Sequence, residues 1–153
     1  MKITLIGGGK LGKQLYNGCT AASEIELVQW VVRSAQRGKT PEGISLVNDV
    51  NVLHPTDLYL LAVSDQAIPK VAAALPEQAF VVHTAGGVAL DVLNQNRAGV
   101  FYPLQTFSEG RNMDFSKLPI GLESKDASDL PLLEKLVQAL GARAFHMNSK
   151  QRE

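Results

Sequence analysis

Residues Ile3-Thr4-Leu5-Ile6-Gly7-Gly8-Gly9-Lys10-Leu11-Gly12 decide how this chain folds. An apolar run of strand character passes directly into G-x-G-x-x-G, and a helical spacing follows at once. The three spaced glycines have separate tasks. Gly7 permits the tight turn out of the strand, Gly9 lets a phosphate approach bare backbone, and Gly12 lets the following helix pack close to the strand. The helix N-terminus, with its amides and the positive end of its dipole, then faces the anion. The motif alone is common, and its place between a strand and a helix gives it meaning. A tight glycine turn without a ligand is the plain alternative.

Strand-like and helix-like segments alternate from there onward, as in an α/β, three-layer, doubly wound and mostly parallel sheet of the dinucleotide-binding Rossmann type. Leu11, Leu15 and Cys19 recur at four-residue spacing, which predicts a helix over 10–22. A second strand is expected over 26–32. Residues 34–43 are polar and broken by glycine and proline, so they read as a loop with at most a short helix, and 44–47 as a short strand. The continuous apolar run Leu58-Tyr59-Leu60-Leu61-Ala62-Val63 suits a strand buried on both faces. Asp65 is expected to cap a helix reaching Leu75, with Pro69 in its first turn. Strands at 80–83 and 99–104, a short helix at 90–94, a polar loop at 108–117 and a strand at 119–123 follow. Leu133, Leu136, Val137 and Leu140 mark an amphipathic helix that Gly141 ends. A last strand is expected at 143–147.

The end of the second strand reads the dinucleotide. A carboxylate there binds a ribose 2′-hydroxyl. None occurs between Gln29 and Lys39; Arg33, Ser34 and Arg37 stand there instead. Guanidinium forks match phosphate oxygens in charge and geometry, so these residues point to a 2′-phosphate and to NADP(H) as cofactor. A solvated basic loop is the alternative. Ala62, Val63 and Ser64 close the central strand, where ligands lie in such sheets, and are expected to flank the dinucleotide. Thr84, Ala85 and Gly86 follow the 80–83 strand on the same side and would face the nicotinamide. His83 reads either as an acid, base or substrate contact, or as a strand-end histidine with its hydrogen bonds satisfied. Gln105 and Thr106 read equally as contacts to substrate or nicotinamide and as an ordinary loop start. No catalytic acid is assigned.

Composition narrows the field. The 153 residues suit one domain with its own core, 45% hydrophobic and 20% charged. Fifteen basic residues balance fifteen acidic ones, so no bulk attraction to nucleic acid or anionic membrane is expected. Cys19 is the only cysteine, and on the inner face of its helix it reads as core, not nucleophile. His54 and His146 have no metal-ligand spacing with each other or with Cys19, so no metal site is expected. The opening Met1-Lys2-Ile3-Thr4 enters a strand directly, so no signal peptide is expected, and no apolar run is long enough to span a bilayer; with the lone cysteine, which fits a reducing cytosol, a cytoplasmic protein is expected. Neither a nucleophile elbow nor a P-loop pattern is present.

Four segments together carry a resemblance: Ile6-Gly7-Gly8-Gly9-Lys10-Leu11-Gly12, Ala62-Val63-Ser64-Asp65, His83-Thr84-Ala85-Gly86-Gly87 and Gly99-Val100-Phe101-Tyr102-Pro103-Leu104-Gln105-Thr106-Phe107. They resemble the bacterial Rossmann-like proteins with a C-terminal helical domain of unknown function, relatives of pyrroline-5-carboxylate reductase and of deazaflavin-dependent NADP oxidoreductases. The resemblance covers essentially the whole chain. It implies an NADP-binding domain over 1–148, with 149–153 the start of the helical domain. It further implies a homodimer formed through that domain, a small-molecule substrate, and substrate-site groups beyond this chain. Hydride transfer to or from a small imine or carbonyl is the implied reaction. Two other readings stay open, a dinucleotide sensor or interaction module without catalysis, and a domain for another nucleotide or S-adenosylmethionine.

Overall fold

The computed structural model describes residues 1–104 and 113–152. Among the described residues the strands are β1 (Lys2–Ile6), β2 (Glu26–Val31), β3 (Gly38–Lys39), β4 (Ser45–Val47), β5 (Leu58–Leu61), β6 (Phe80–His83), β7 (Arg97–Pro103), β8 (Pro119–Ser124) and β9 (Arg143–His146). The α-helices are α1 (Lys10–Ala21), α2 (Ile68–Ala73) and α3 (Leu130–Ala139), joined by short 3-10 turns. The strands form one sheet in the order β3-β4-β2-β1-β5-β6-β7-β8-β9. β4, β2, β1, β5, β6 and β7 run parallel, while β3 and β8 are antiparallel to their neighbours β4 and β7. From β1 the chain winds outward through β2 to β4, then returns to β5 on the other side. That reversal is the switch point, where crevices open at the carboxyl ends of the strands.

Both faces of the sheet are covered. Ile3, Leu5, Leu58 and Leu60 pack against Leu15 and Cys19 of α1 and Leu133, Leu136 and Val137 of α3. Ile6, Val31, Tyr59, Leu61, Val81 and Val100 pack on the other face against Ile68 and Ala72 of α2. Alternate residues of β5 therefore enter opposite cores, which is why that strand is apolar throughout.

Several expectations are corrected. Asp65 does not cap the helix that follows it. Ser64 holds the cap position without a side-chain bond, and a 3-10 turn over Asp65–Ala67 leads into α2. The amides of Ala67 and Ile68 bond to the Ser64 and Asp65 carbonyls, so the donors a capping side chain would satisfy are already used. The helix also ends at Ala73, short of Leu75. Residues 34–43 form a loop as expected but add the two-residue β3. The short helix after residue 89 is a 3-10 turn at Leu90–Val92. The polar loop ahead of β8 holds a 3-10 turn at Phe115–Lys117 with Phe115 buried. Gly141 ends α3 at φ +78°. Gln105, Thr106 and Phe107 lie outside the described residues.

Candidate functional site

The glycine loop is built as the motif requires. Gly7 has φ +128°, and a Cβ there would fall 2.0 Å from the Ala62 carbonyl oxygen. A Cβ on Gly12 would fall 2.3 Å from the Gly7 carbonyl oxygen, so helix and loop touch backbone to backbone. Around Gly9 nothing among the described residues lies within 4 Å of that position. Two glycines are thus demanded by packing, and the third leaves open space where a ligand can approach. Gly9 is also the N-cap of α1; among the described residues no side chain caps this helix, and its first turn carries no acidic residue. Lys10, Leu11 and Gly12 form that first turn.

Beside the loop lies a cleft of about 660 Å³. Its lining brings together Gly7, Gly9, Arg33, Ala62, Val63 and Ser64, which were singled out in sequence, from the ends of β1, β2 and β5. It also includes Asn48 and Asp49, just beyond β4, and Lys70 of α2. Lys70 adds a second cation to Arg33. One oxygen of Asp49 accepts from the backbone and side-chain amides of Asn51, both at 2.9 Å, and so caps the 3-10 turn at Val50–Val52. Arg37 is outside the lining and reaches it only through Asn48, donating from Nε to Oδ1 at 3.1 Å. Ser34 is exposed and also outside it.

A brace holds the loop from behind. Trp30 of β2 donates its indole N–H to the Gly7 carbonyl at 2.8 Å. Its ring stacks on Tyr16 of α1 with centroids 4.2 Å apart. The Tyr16 hydroxyl donates to the Glu42 carboxylate and accepts from the Thr40 hydroxyl at 2.6 Å. Burial, with Glu42 next in effect, pushes the Tyr16 pKa up, so the phenol keeps its proton and its donor role.

At the end of β6, Thr84, Ala85 and Gly86 lie outside that cleft's lining. The Thr84 hydroxyl donates to the Leu61 carbonyl at 2.9 Å and ties the ends of β5 and β6 together. A Cβ on Gly86 would strike the Tyr102 ring at 2.3 Å, so this glycine lets the backbone pass under the phenol. His83 is fully buried. Its Nδ1 accepts the Ala85 amide at 3.1 Å, and its Nε2 bonds the Ala89 carbonyl at 3.3 Å. That pattern fixes a neutral ring protonated on Nε2. Burial lowers its pKa to about 4, against a raising effect of the Ala89 bond. Both nitrogens are spent on backbone, so His83 is a structural group with no proton to offer a substrate.

Cys19 is buried and its thiol is pushed up to about 12, which leaves it without thiolate character. His146 pairs with Glu134 at an exposed site, at 3.1 Å. No cluster of three metal-ligating side chains occurs among the described residues. No helix among them is long and apolar enough to cross a membrane. Sequence reasoning missed Trp30, Asn48, Asp49 and Lys70. Lys70 carried one signal, its place in the first turn of the helix that follows the central strand. The others meet the site only through sheet order.

No family model matches the chain, and no curated protein matches it. Solved structures do. A candidate NADP oxidoreductase from Bacteroides fragilis aligns over 99% of this chain and 62% of its own, at 27% identity and a TM-score of 0.80. Prephenate dehydrogenase from Aquifex aeolicus aligns over 98% and 62%, at 13% identity and a TM-score of 0.78. Pyrroline carboxylate reductase from Plasmodium falciparum, solved with NADP bound, aligns over 98% and 58%, at 13% identity and a TM-score of 0.75. The last two speak for the fold, which is the NAD(P)-binding Rossmann fold of dehydrogenases. The first matches the kinship read from the sequence. This chain spans 58–62% of the length of these three.

Proposed function

We propose that this chain is the dinucleotide-binding domain of an NADP(H)-dependent oxidoreductase. One observation carries the reading: an uncapped helix N-terminus, the open space at Gly9 and the cation Arg33 meet at a single cleft at the sheet's switch point. Gly7, Gly9, Lys10, Leu11 and Gly12 hold the diphosphate. Arg33 pairs with the 2′-phosphate, with Ser34 and Arg37 at the rim and Lys70 across the cleft. Among the described residues, against these two lining cations stands one carboxylate, Asp49, already engaged by Asn51, so the lining favours an anion. Ala62, Val63 and Ser64 flank the path toward the nicotinamide, and Thr84, Ala85 and Gly86 form the far side. The nicotinamide supplies the hydride chemistry; the chain binds it, orients it and keeps water from one side. The reaction is hydride transfer to or from a small imine or carbonyl. The remaining substrate groups come from a helical domain that also forms a homodimer, in a cytoplasmic protein.

Calorimetric titration of NADPH and NADH into this chain and into Arg33→Ala tests the cofactor assignment. NADPH is expected to bind at least about tenfold tighter than NADH, with that preference lost in the variant, since one charge-assisted phosphate contact is worth about 1.5–3 kcal/mol. Equal affinities in both proteins would sink the NADP assignment. Turnover of NADPH by the full-length protein against a panel of imines and keto acids tests the enzyme reading, and binding without turnover would favour a sensor.

A further inference from the structure

Residues 84–90 leave β6 at the carboxyl edge of the sheet and are fixed from two sides. From inside, His83 bonds the Ala85 amide and the Ala89 carbonyl. From outside they are held by residues some sixty positions later. Arg152 Nη2 donates to the Val88 carbonyl at 3.0 Å, and the Leu90 amide donates to Ser149 Oγ at 3.1 Å.

Arg152 is itself held. Its Nη1 donates to Glu123 of β8 at 2.6 Å and to the Met147 carbonyl at 3.2 Å, and its Nη2 donates to Ser149 Oγ at 3.1 Å. Ser149 donates its hydroxyl to Glu123 at 2.9 Å and its amide to the other carboxylate oxygen at 3.2 Å. The Arg152 side chain is 1% exposed and that of Glu123 18%. Burying such a pair costs several kcal/mol of desolvation, and apolar side chains would fill the same space as well or better. What apolar residues cannot do is grip a backbone carbonyl and a backbone amide two residues apart. The pair and its serine do that, on the segment that carries Gly86.

We propose that Arg152, through Glu123 and Ser149, is a positioning residue that sets residues 84–90 for the nicotinamide end of the dinucleotide. The inference rests on the reading of this chain as an NADP(H)-binding domain. Arg152 acts on the backbone of 88–90 and touches no reacting atom. The adenosine end, at Arg33 and the glycine loop, is built from other strands and is not reached by this strut.

The test compares NADPH with 2′-phospho-ADP-ribose, which lacks the nicotinamide, in the parent chain, Arg152→Gln and Ser149→Ala. Hydrogen exchange of the 84–90 segment is read in parallel. NADPH is expected to weaken about tenfold in Arg152→Gln and less in Ser149→Ala, because preorganisation of that end is lost. Affinity for 2′-phospho-ADP-ribose should stay within about twofold, and exchange should quicken at 84–90 with the core unchanged. Arg152→Lys should recover part of the NADPH loss. Unchanged NADPH affinity, or equal loss of both ligands by a folded variant, overturns the inference. If Arg152→Gln does not fold, Ser149→Ala decides by the same criteria. A parent chain that binds neither ligand sinks the functional reading and this inference with it; a parent that binds both, with variants that match it, sinks the inference alone.

Discussion

Three glycines of one motif carry different physical demands, and substitution separates them. Gly9→Ala meets open space, so stability should change by no more than about 1 kcal/mol while NADPH binding weakens at least tenfold, because the new methyl stands where phosphate approaches. Gly12→Ala forces a Cβ to 2.3 Å from the Gly7 carbonyl and should cost about 3 kcal/mol or more in a denaturant melt. A stable Gly9→Ala that binds NADPH as the parent does would count against the site. His83 makes its own prediction. Its folded pKa of about 4 lies below the ordinary 6.5, so the unfolded chain takes up the proton first as pH falls. Stability from the neutral ring is whole above pH 6.5, declines through the window and is gone below about 4, a loss of about 3 kcal/mol. Denaturant melts across that window should show the slope, and His83→Gln should flatten it. Two roles for this histidine were legible in sequence, and the favoured one, a strand-end ring with its hydrogen bonds satisfied, is the one the structure shows. Its partners, Ala85 and Ala89, become neighbours of the ring only when the segment turns back over β6.

Periodicity made α1, α3 and the strands of the switch point readable, because each buries one face or both. Direction and pairing were not readable. Nothing in the spacing of β8 tells that it runs antiparallel to β7, since the period of two is the same either way. The start of α2 was misread for a related reason: backbone carbonyls of a 3-10 turn met the amides that Asp65 was expected to cap. The Trp30 brace also belongs to pairing. It exists because β2 lies beside β1 and α1 crosses over both. Trp30→Phe keeps the ring stack and removes the bond to the Gly7 carbonyl. It should lower stability by about 1 kcal/mol and weaken NADPH binding severalfold, with the cost concentrated in the loop. Exchange of the amides at 8–12 checks this; unchanged protection there would show that the brace does not hold the loop.

At the scale of the molecule the charges cancel, yet the cleft gathers Arg33 and Lys70 on one side of the sheet. Binding of NADPH should therefore weaken with added salt more than binding of NADH, since the extra phosphate is read by exposed charge. Titrations at low and high ionic strength check the difference. The fold and the glycine loop were legible as a whole because a local motif and a long alternation agreed. Asn48 was not, because it joins Arg33 only when sheet order places β4 beside β2 at one crevice. The match to chains of which this one spans 58–62% leaves substrate and assembly to experiments on longer proteins, while dinucleotide binding is testable on this chain. The most direct test is a titration of the nitrogen-15-labelled chain with NADPH, followed by amide chemical shifts. Shifts are expected at Gly7, Gly9, Lys10, Leu11, Gly12, Arg33 and Ala62 to Ser64, mapping one continuous patch along the cleft. No shifts, or shifts confined to the opposite face between α1 and α3, would contradict the account.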